Sequence, residues 1–203
     1  MSLRLSPVIL LMILPLAGCS ALSALGAAST PLEVFELRAL APEQPARRTR
    51  DVEVVVEEPV ATGALATERI MIRPAPLSAQ YLPGVRWADP APAMLQTMLL
   101  RSLAETGAFN SVGRGPVGTR ADYAVLGELT DFQAEVAEGQ GAQVRVRLML
   151  RIVREGDARV TARRTFESVA PAADTDAATI VDAFDAALRS MLADMVPWIL
   201  DRV

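Results

Sequence analysis

The sequence predicts an α+β domain, a mostly antiparallel sheet of about six strands packed against two helices in the order βββ–α–βββ–α. Three observations carry that prediction. Stretches ending at Arg73 alternate apolar and polar residues at period two. Ala91, Met94, Leu95, Met98, Leu99 and Leu103 repeat at helical spacing, as do Ile180, Phe184, Leu188, Met191, Met195 and Ile199. Between these two helices lie three long alternating segments separated by glycine-bearing turns.

Taken in chain order, a first strand falls at Glu33 to Arg38, and Ala41 to Arg50, rich in Pro and Arg, reads as a loop. Val52 to Glu57 alternates and stops at Pro59; Arg69 to Arg73 places Ile70 and Ile72 on one face and stops at Pro74. Asp89 is positioned to cap a helix with Pro90 at its first position; Pro92 has no N–H, so the Asp89 carboxylate is expected on the Ala91 amide. That helix runs to about Glu105, and Gly107 stops it. Asp122 to Val136 alternates, but its apolar phase slips after Leu129, which predicts a bulge near Thr130 and Asp131. Gln143 to Val153 sets Val144, Val146, Leu148, Leu150 and Ile152 on one face and Arg145, Arg147, Met149 and Arg151 on the other. Arg159 to Val169 completes a meander, and a helix from about Thr175 to Leu200 closes the chain, with Asp174 as candidate cap and Pro197 loosening its last turn.

The N-terminus reads as a processing signal. Arg4 supplies a positive start, and Leu5 to Leu16 form an apolar run of 12 residues, short of the roughly 20 a membrane helix needs. Leu16-Ala17-Gly18-Cys19 follows, and resembles the lipobox of bacterial lipoproteins. A thiol is required to take a diacylglyceryl group as a thioether, and the small residues before it suit the peptidase that cuts there. The expected organisation is a signal peptide at 1–18, a lipidated Cys19 with a tether to residue 31, and one domain over 32–203. Cys19 is the only cysteine, so an internal disulfide is impossible. Two or more acyl chains, as diacylglycerol and an N-acyl group on Cys19, hold a protein stably at a membrane. Ser20, where an enterobacterial inner-membrane lipoprotein carries Asp, points to the outer membrane.

Composition removes several functions. The chain has no His and no Lys, so the commonest general base, the Schiff-base amine and the P-loop lysine are all missing. Losing Arg4 with the leader leaves 19 Arg against 24 acids, a balance that does not suit nucleic acid. Glu57 with Glu58 reads as a strand end and Asp174 with Asp176 as a helix start; the glycines at 113, 115 and 118 fit neither a P-loop nor a Rossmann turn. No catalytic, cofactor or metal site is expected. Two surfaces are candidates for a partner or for anionic headgroups. One is the Arg145, Arg147 and Arg151 face, with Arg163 alongside. Its bland alternative is a solvated face balanced by Glu128, Glu135 and Glu167. The other is the segment of Tyr81, Arg86 and Trp87, which holds one of two Trp and one of two Tyr and reads equally well as a loop packed on the first helix.

The run Arg69-Ile70-Met71-Ile72-Arg73-Pro74, then Tyr81, then Arg86-Trp87-Ala88-Asp89-Pro90, Leu95-Gln96 and Leu99-Leu100-Arg101-Ser102-Leu103 resembles the ABC-type transport auxiliary lipoproteins, the PqiC-like group. Phe35-Glu36-Leu37 and Phe109-x-x-Val112 are similar to further elements of that family, with Phe35 where Tyr is common. The resemblance implies a non-enzymatic periplasmic component on the outer membrane. Its partners would be an MCE-domain (mammalian cell entry) protein, an ABC permease and its ATPase, in a system moving phospholipid or other hydrophobic cargo between the two membranes. Self-association stays open. The alternative is a structural or assembly lipoprotein of the outer membrane with no part in transport.

Overall fold

The computed structural model describes residues 31–41, 46, 48–118, 120–136 and 141–203. Cys19 and the leader lie outside them. The chain divides into two units, Met1–Glu33 and Val34–Val203; the main sheet and both helices belong to the second.

The elements are β1 (Glu33–Phe35), β2 (Arg50–Val56), β3 (Val60–Ala61), β4 (Met71–Arg73), β5 (Gln80–Tyr81), β6 (Val85–Trp87), α1 (Ala91–Glu105), β7 (Phe109–Gly113), β8 (Tyr123–Val136), β9 (Ala142–Arg154), β10 (Arg159–Ala172) and α2 (Ala177–Leu200). The α+β class with two helices stands. The expected six-stranded antiparallel sheet does not: the main sheet has eight strands and is mixed, with the order β10-β9-β8-β2-β7 along its main path. Six strands precede α1 and four follow it.

β8 is the axis. On one side it runs antiparallel to β9 for its whole length, from Tyr123 opposite Arg154 to Val136 opposite Ala142. On the other, three short strands take up its edge in succession, all parallel to it. Val54–Val56 of β2 lie opposite Tyr123–Val125, Val60–Ala61 of β3 opposite Glu128–Leu129, and Ile72–Arg73 of β4 opposite Ala134–Glu135. β7 then pairs parallel to the outer edge of β2. Parallel neighbours need a crossover rather than a hairpin, and α1 lies within the one that joins β2 to β7. The alternation of β2 and β4 carries no information about the direction of the neighbouring strand. Ile70, Met71 and Ile72 are all buried, so this segment is covered on both faces rather than one.

The phase slip in β8 is a bulge, with the register shifting between Leu129 and Asp131. It keeps Leu129 and Phe132 both on the inner face, where each is buried. The inner residues of β9 (Val144, Val146, Leu148, Leu150 and Ile152) are also buried, under α2. Both predicted helical stripes are buried throughout. Trp87, Phe132 and Phe184 form a cluster from a loop strand, the bulged strand and α2, with ring centroids 5.2 Å apart for Trp87–Phe184 and 4.7 Å for Phe132–Phe184. Such pairs add about 0.5–1.5 kcal/mol each beyond burial.

Neither predicted cap is made. Pro90, not Asp89, stands at the N-cap of α1, with no side-chain bond. The Ala91 amide donates instead to the Thr67 carbonyl at 3.2 Å, so a distant loop satisfies the orphan donor. In α2 the N-cap is Asp176, and Asp174 accepts from the Asp176 amide at 3.0 Å, one step outside the helix. α2 continues past Pro197 to Leu200. Proline is tolerated there because it lies on the exposed face, where the freed Ala193 carbonyl meets water.

Two substitutions test this packing. Phe184→Ala should cost about 3–5 kcal/mol in urea unfolding, because it opens the aromatic cluster. Gly127→Ala should cost about 1–3 kcal/mol, since a Cβ there would stand 3.1 Å from both Cβ and Cγ of Pro59; unchanged stability would mean that the β2–β3 link yields freely.

Candidate functional site

The outer face of the sheet, away from the helices, carries the basic residues singled out in the sequence. Their ion pairs, which run diagonally across the strands, sort them rather than the residues directly opposite. Gln133 on β8 faces Arg145 on β9, which faces Val169 on β10; Asp131 faces Arg147, which faces Glu167; Leu126 faces Arg151, which faces Arg163.

Arg145 is committed within the sheet. Its Nε lies 3.3 Å from Glu135 Oε1, and its Nη1 donates to Glu167. The Glu167 carboxylate, and after it Glu135, hold this guanidinium above its ordinary value, so it stays cationic at every accessible pH. Beneath it Gln133 is fully buried, and its amide donates to Asp131 and to Glu135 at 3.1 Å each. This corner is a closed polar network that ties β8, β9 and β10 together.

Arg147, Arg151 and Arg163 differ. Each is exposed, and among the described residues none has a carboxylate oxygen within ion-pair distance. Arg163 Nε donates to Met149 Sδ at 2.9 Å, and its cross-strand neighbour is Arg151. Like charges directly opposite each other cost a sheet some stability. Arg163 and Arg164 also blunt the free edge of β10 against pairing with another chain. The basic surface is therefore Arg147, Arg151 and Arg163 rather than the stretch centred on Arg145. Arg163, expected alongside from the sequence, is placed directly opposite Arg151 by the β9–β10 register.

The second candidate surface is largely interior. Trp87 has no exposed surface, and its indole Nε1 has no acceptor among the described residues; it is a core residue, not a recognition side chain. Arg86 donates to Glu68 at 2.8 Å and to the Trp87 carbonyl at 3.1 Å. Tyr81 donates to the Ala64 carbonyl at 3.2 Å, and Arg69 lies over its ring, 3.9 Å from the centroid. These bonds stitch 64–69 to 81–87 and leave little to offer a ligand.

Sequence reasoning missed one long-range pin. Arg38 reaches Asp185 of α2 through its backbone N–H at 3.3 Å and its Nη2 at 2.5 Å. The Asp185 side chain is 12% exposed and that of Arg38 72%. Bonding to Asp185 raises Arg38 above its ordinary value. Leu40 N–H donates to buried Ser102 of α1 at 2.9 Å, and Leu37 is buried between these anchors. The strap 34–40 is thus fixed to both helices. An aspartate inside the apolar stripe of α2, one residue after Phe184, was its only visible sign.

The molecule offers little to a small ligand. Between the two helices and the sheet, beside Leu99, Leu148, Leu188 and Met195, is an apolar gap of about 10 Å³, room for one water at most. An open groove of about 380 Å³ at the start of β8 is lined by Arg120, Asp122, Tyr123 and Arg154. Asp122 is spent on the Glu53 amide at 2.8 Å and Arg154 on Asp157 at 3.0 Å. Among the described residues no group of three His, Cys, Asp or Glu is placed to hold a metal, and no helix is long and apolar enough to cross a membrane.

A family model described as an ABC-type transport auxiliary lipoprotein component matches residues 35–196. An uncharacterized protein of Bradyrhizobium diazoefficiens, bll6063, is 27% identical over 186 residues; the match covers 90% of this chain and 48% of that protein, so the chain spans about half the length of the curated relative it matches. Among solved structures, the Xanthomonas campestris protein XCC0632 superposes with a TM-score of 0.75 at 27% identity, over 83% of this chain and 95% of that one. The hypothetical protein CT253 of Chlamydia trachomatis shares the fold at a TM-score of 0.52 and 8% identity, covering 75% of this chain and 98% of its own.

The two classes of arginine should separate in unfolding experiments. Arg145→Ala should cost about 1 kcal/mol, the scale of a partly exposed ion-pair network, and part of that cost should vanish in high salt. Arg147→Ala and Arg151→Ala should stay within about 0.5 kcal/mol of the parent. Equal losses at all three positions would show that Arg145 is no more committed than its neighbours.

Proposed function

Because the chain belongs to the ABC-type transport auxiliary lipoprotein components, we propose that it is the lipid-anchored periplasmic auxiliary of an ABC transport system. That system would pair a permease and its ATPase with an MCE-domain protein and carry phospholipid or other hydrophobic cargo between the inner and outer membranes. The observation that carries this reading is the match over residues 35–196, nearly the whole folded domain. The chain's own residues suit a component that docks and anchors. Acylation of Cys19 after removal of residues 1–18 would hold the domain at the periplasmic face of the outer membrane. A core with room for about one water would not enclose an acyl chain, so the domain would act by position, with ATP hydrolysed by the partner ATPase. In this reading Arg147, Arg151 and Arg163 form the cationic face toward an acidic partner or headgroup.

Affinity purification of the detergent-solubilised lipoprotein is the decisive test. An MCE-domain protein should co-purify, and recovery of outer-membrane assembly factors alone would favour a structural role over transport. Cys19→Ala should abolish acylation and membrane retention while leaving the unfolding midpoint unchanged, as read by mass spectrometry, fractionation and urea titration. A mutant still firmly membrane-bound would remove the anchor from the mechanism.

A further inference from the structure

The β4–β5 connection carries an uncharged, proline-stiffened tip out of the end of the sheet. Arg73 ends β4, Gln80 opens β5, and Pro74, Ala75, Pro76, Leu77, Ser78 and Ala79 lie between them. Ser78 N–H donates to the Ala75 carbonyl at 3.0 Å, which closes a turn with Pro76 and Leu77 at its centre. Proline in the first central position presets the backbone for such a turn. Leu77 is 104% exposed, as open as in an isolated extended peptide. With Ile72 opposite Ala134 and Arg73 opposite Glu135, the tip leaves the sheet beside the last residues of β8, near partly exposed Val136.

Its chemistry suits hydrocarbon better than water. Pro74 and Pro76 have no N–H, and the Ser78 amide is already bonded within the turn. Of the five residues from Pro74 to Ser78, only Ala75 and Leu77 bring an unbonded N–H; the carbonyls of Pro74, Pro76, Leu77 and Ser78 also lack backbone partners among the described residues, which limits insertion to the shallow apolar boundary. The charged groups at the base suit a headgroup layer: Arg73 is cationic, and Glu135 opposite it is bound by Arg145. The exposed apolar residue at the other end of the sheet has a different setting. There Val117 is 83% exposed, but Arg114 and Arg120 flank it and the Glu53 carboxylate holds its amide at 2.5 Å. The 14 residues of β8 separate the two ends by roughly 45 Å.

We infer that the Pro74–Ser78 tip dips into the apolar boundary of the bilayer and fixes which end of the sheet faces the membrane. This rests on the lipid-anchor reading, since one leucine holds no domain at a surface by itself. A domain already tethered meets the bilayer at high effective concentration, and a weak insertion then suffices to orient it.

The anchor consumes the only thiol, so Leu77→Cys in the mature acylated protein introduces a single reactive one. It would be labelled with a polarity-sensitive fluorophore and reconstituted into phosphatidylethanolamine/phosphatidylglycerol vesicles with and without brominated acyl chains. The label at 77 should shift to the blue and lose emission to the bromines, and one at Val117→Cys should do neither. Ala79→Cys, with Leu77 intact, should respond as the 77 label does and lose that response in an added Leu77→Asp. A water-like label at 77 on protein that floats with the vesicles overturns the tip insertion and leaves the anchor standing, as does quenching at 117 alone. Protein that does not float with vesicles overturns the anchor, and the insertion with it.

Discussion

The structure depends on the two edges of one long strand. β8 gives one edge to β9 and the other to β2, β3 and β4 in turn, so the meander and the irregular first half of the chain are joined through the same backbone. Edge hydrogen bonding alone would leave a twisted sheet with two wet faces. Burial of Leu129, Phe132, Val146, Leu148 and Ile152 beneath α2 supplies the driving force that fixes the register. The bulge at Thr130 serves the same end: in an unbulged strand Phe132, three residues after Leu129, would turn to the solvent face and the aromatic cluster with Trp87 and Phe184 could not form.

The same register decides what the outer face can do. Where β8 and β10 present carboxylates at the right step, Arg145 is drawn into an ion-pair network that ties three strands. Among the described residues Arg147 makes no ion pair although it faces Asp131 and Glu167, and farther along β9 Arg151 meets Arg163 and Leu126, so three guanidinium groups are left toward solvent. A strand with period-two arginines thus becomes part stabilising network and part available cation.

The described residues combine a dense core, a strap bonded to both helices and an open cationic face. The chain belongs to the ABC-type transport auxiliary lipoprotein components. The Arg38–Asp185 pin lies near the start of the folded unit and ties the strap to α2 through a largely buried carboxylate.

By itself the amino-acid order determined the class of the fold, both helices and their buried stripes, the three long strands and which of their faces turns inward, and the bulge. These follow from periodicity and phase, which are local properties of the chain. The lipobox-like run before Cys19 and the missing His and Lys are matters of residue type and order, read directly from the chain. Only the tertiary structure decided that β2, β3 and β4 lie parallel along β8, and that Trp87 is core while Leu77 stands in the open. It likewise decided that Thr67 rather than Asp89 satisfies the start of α1, and that Arg145 is bound where Arg151 is not. Each of these depends on which distant residue arrives opposite, and a strand's side-chain alternation is the same whether its neighbour runs with it or against it.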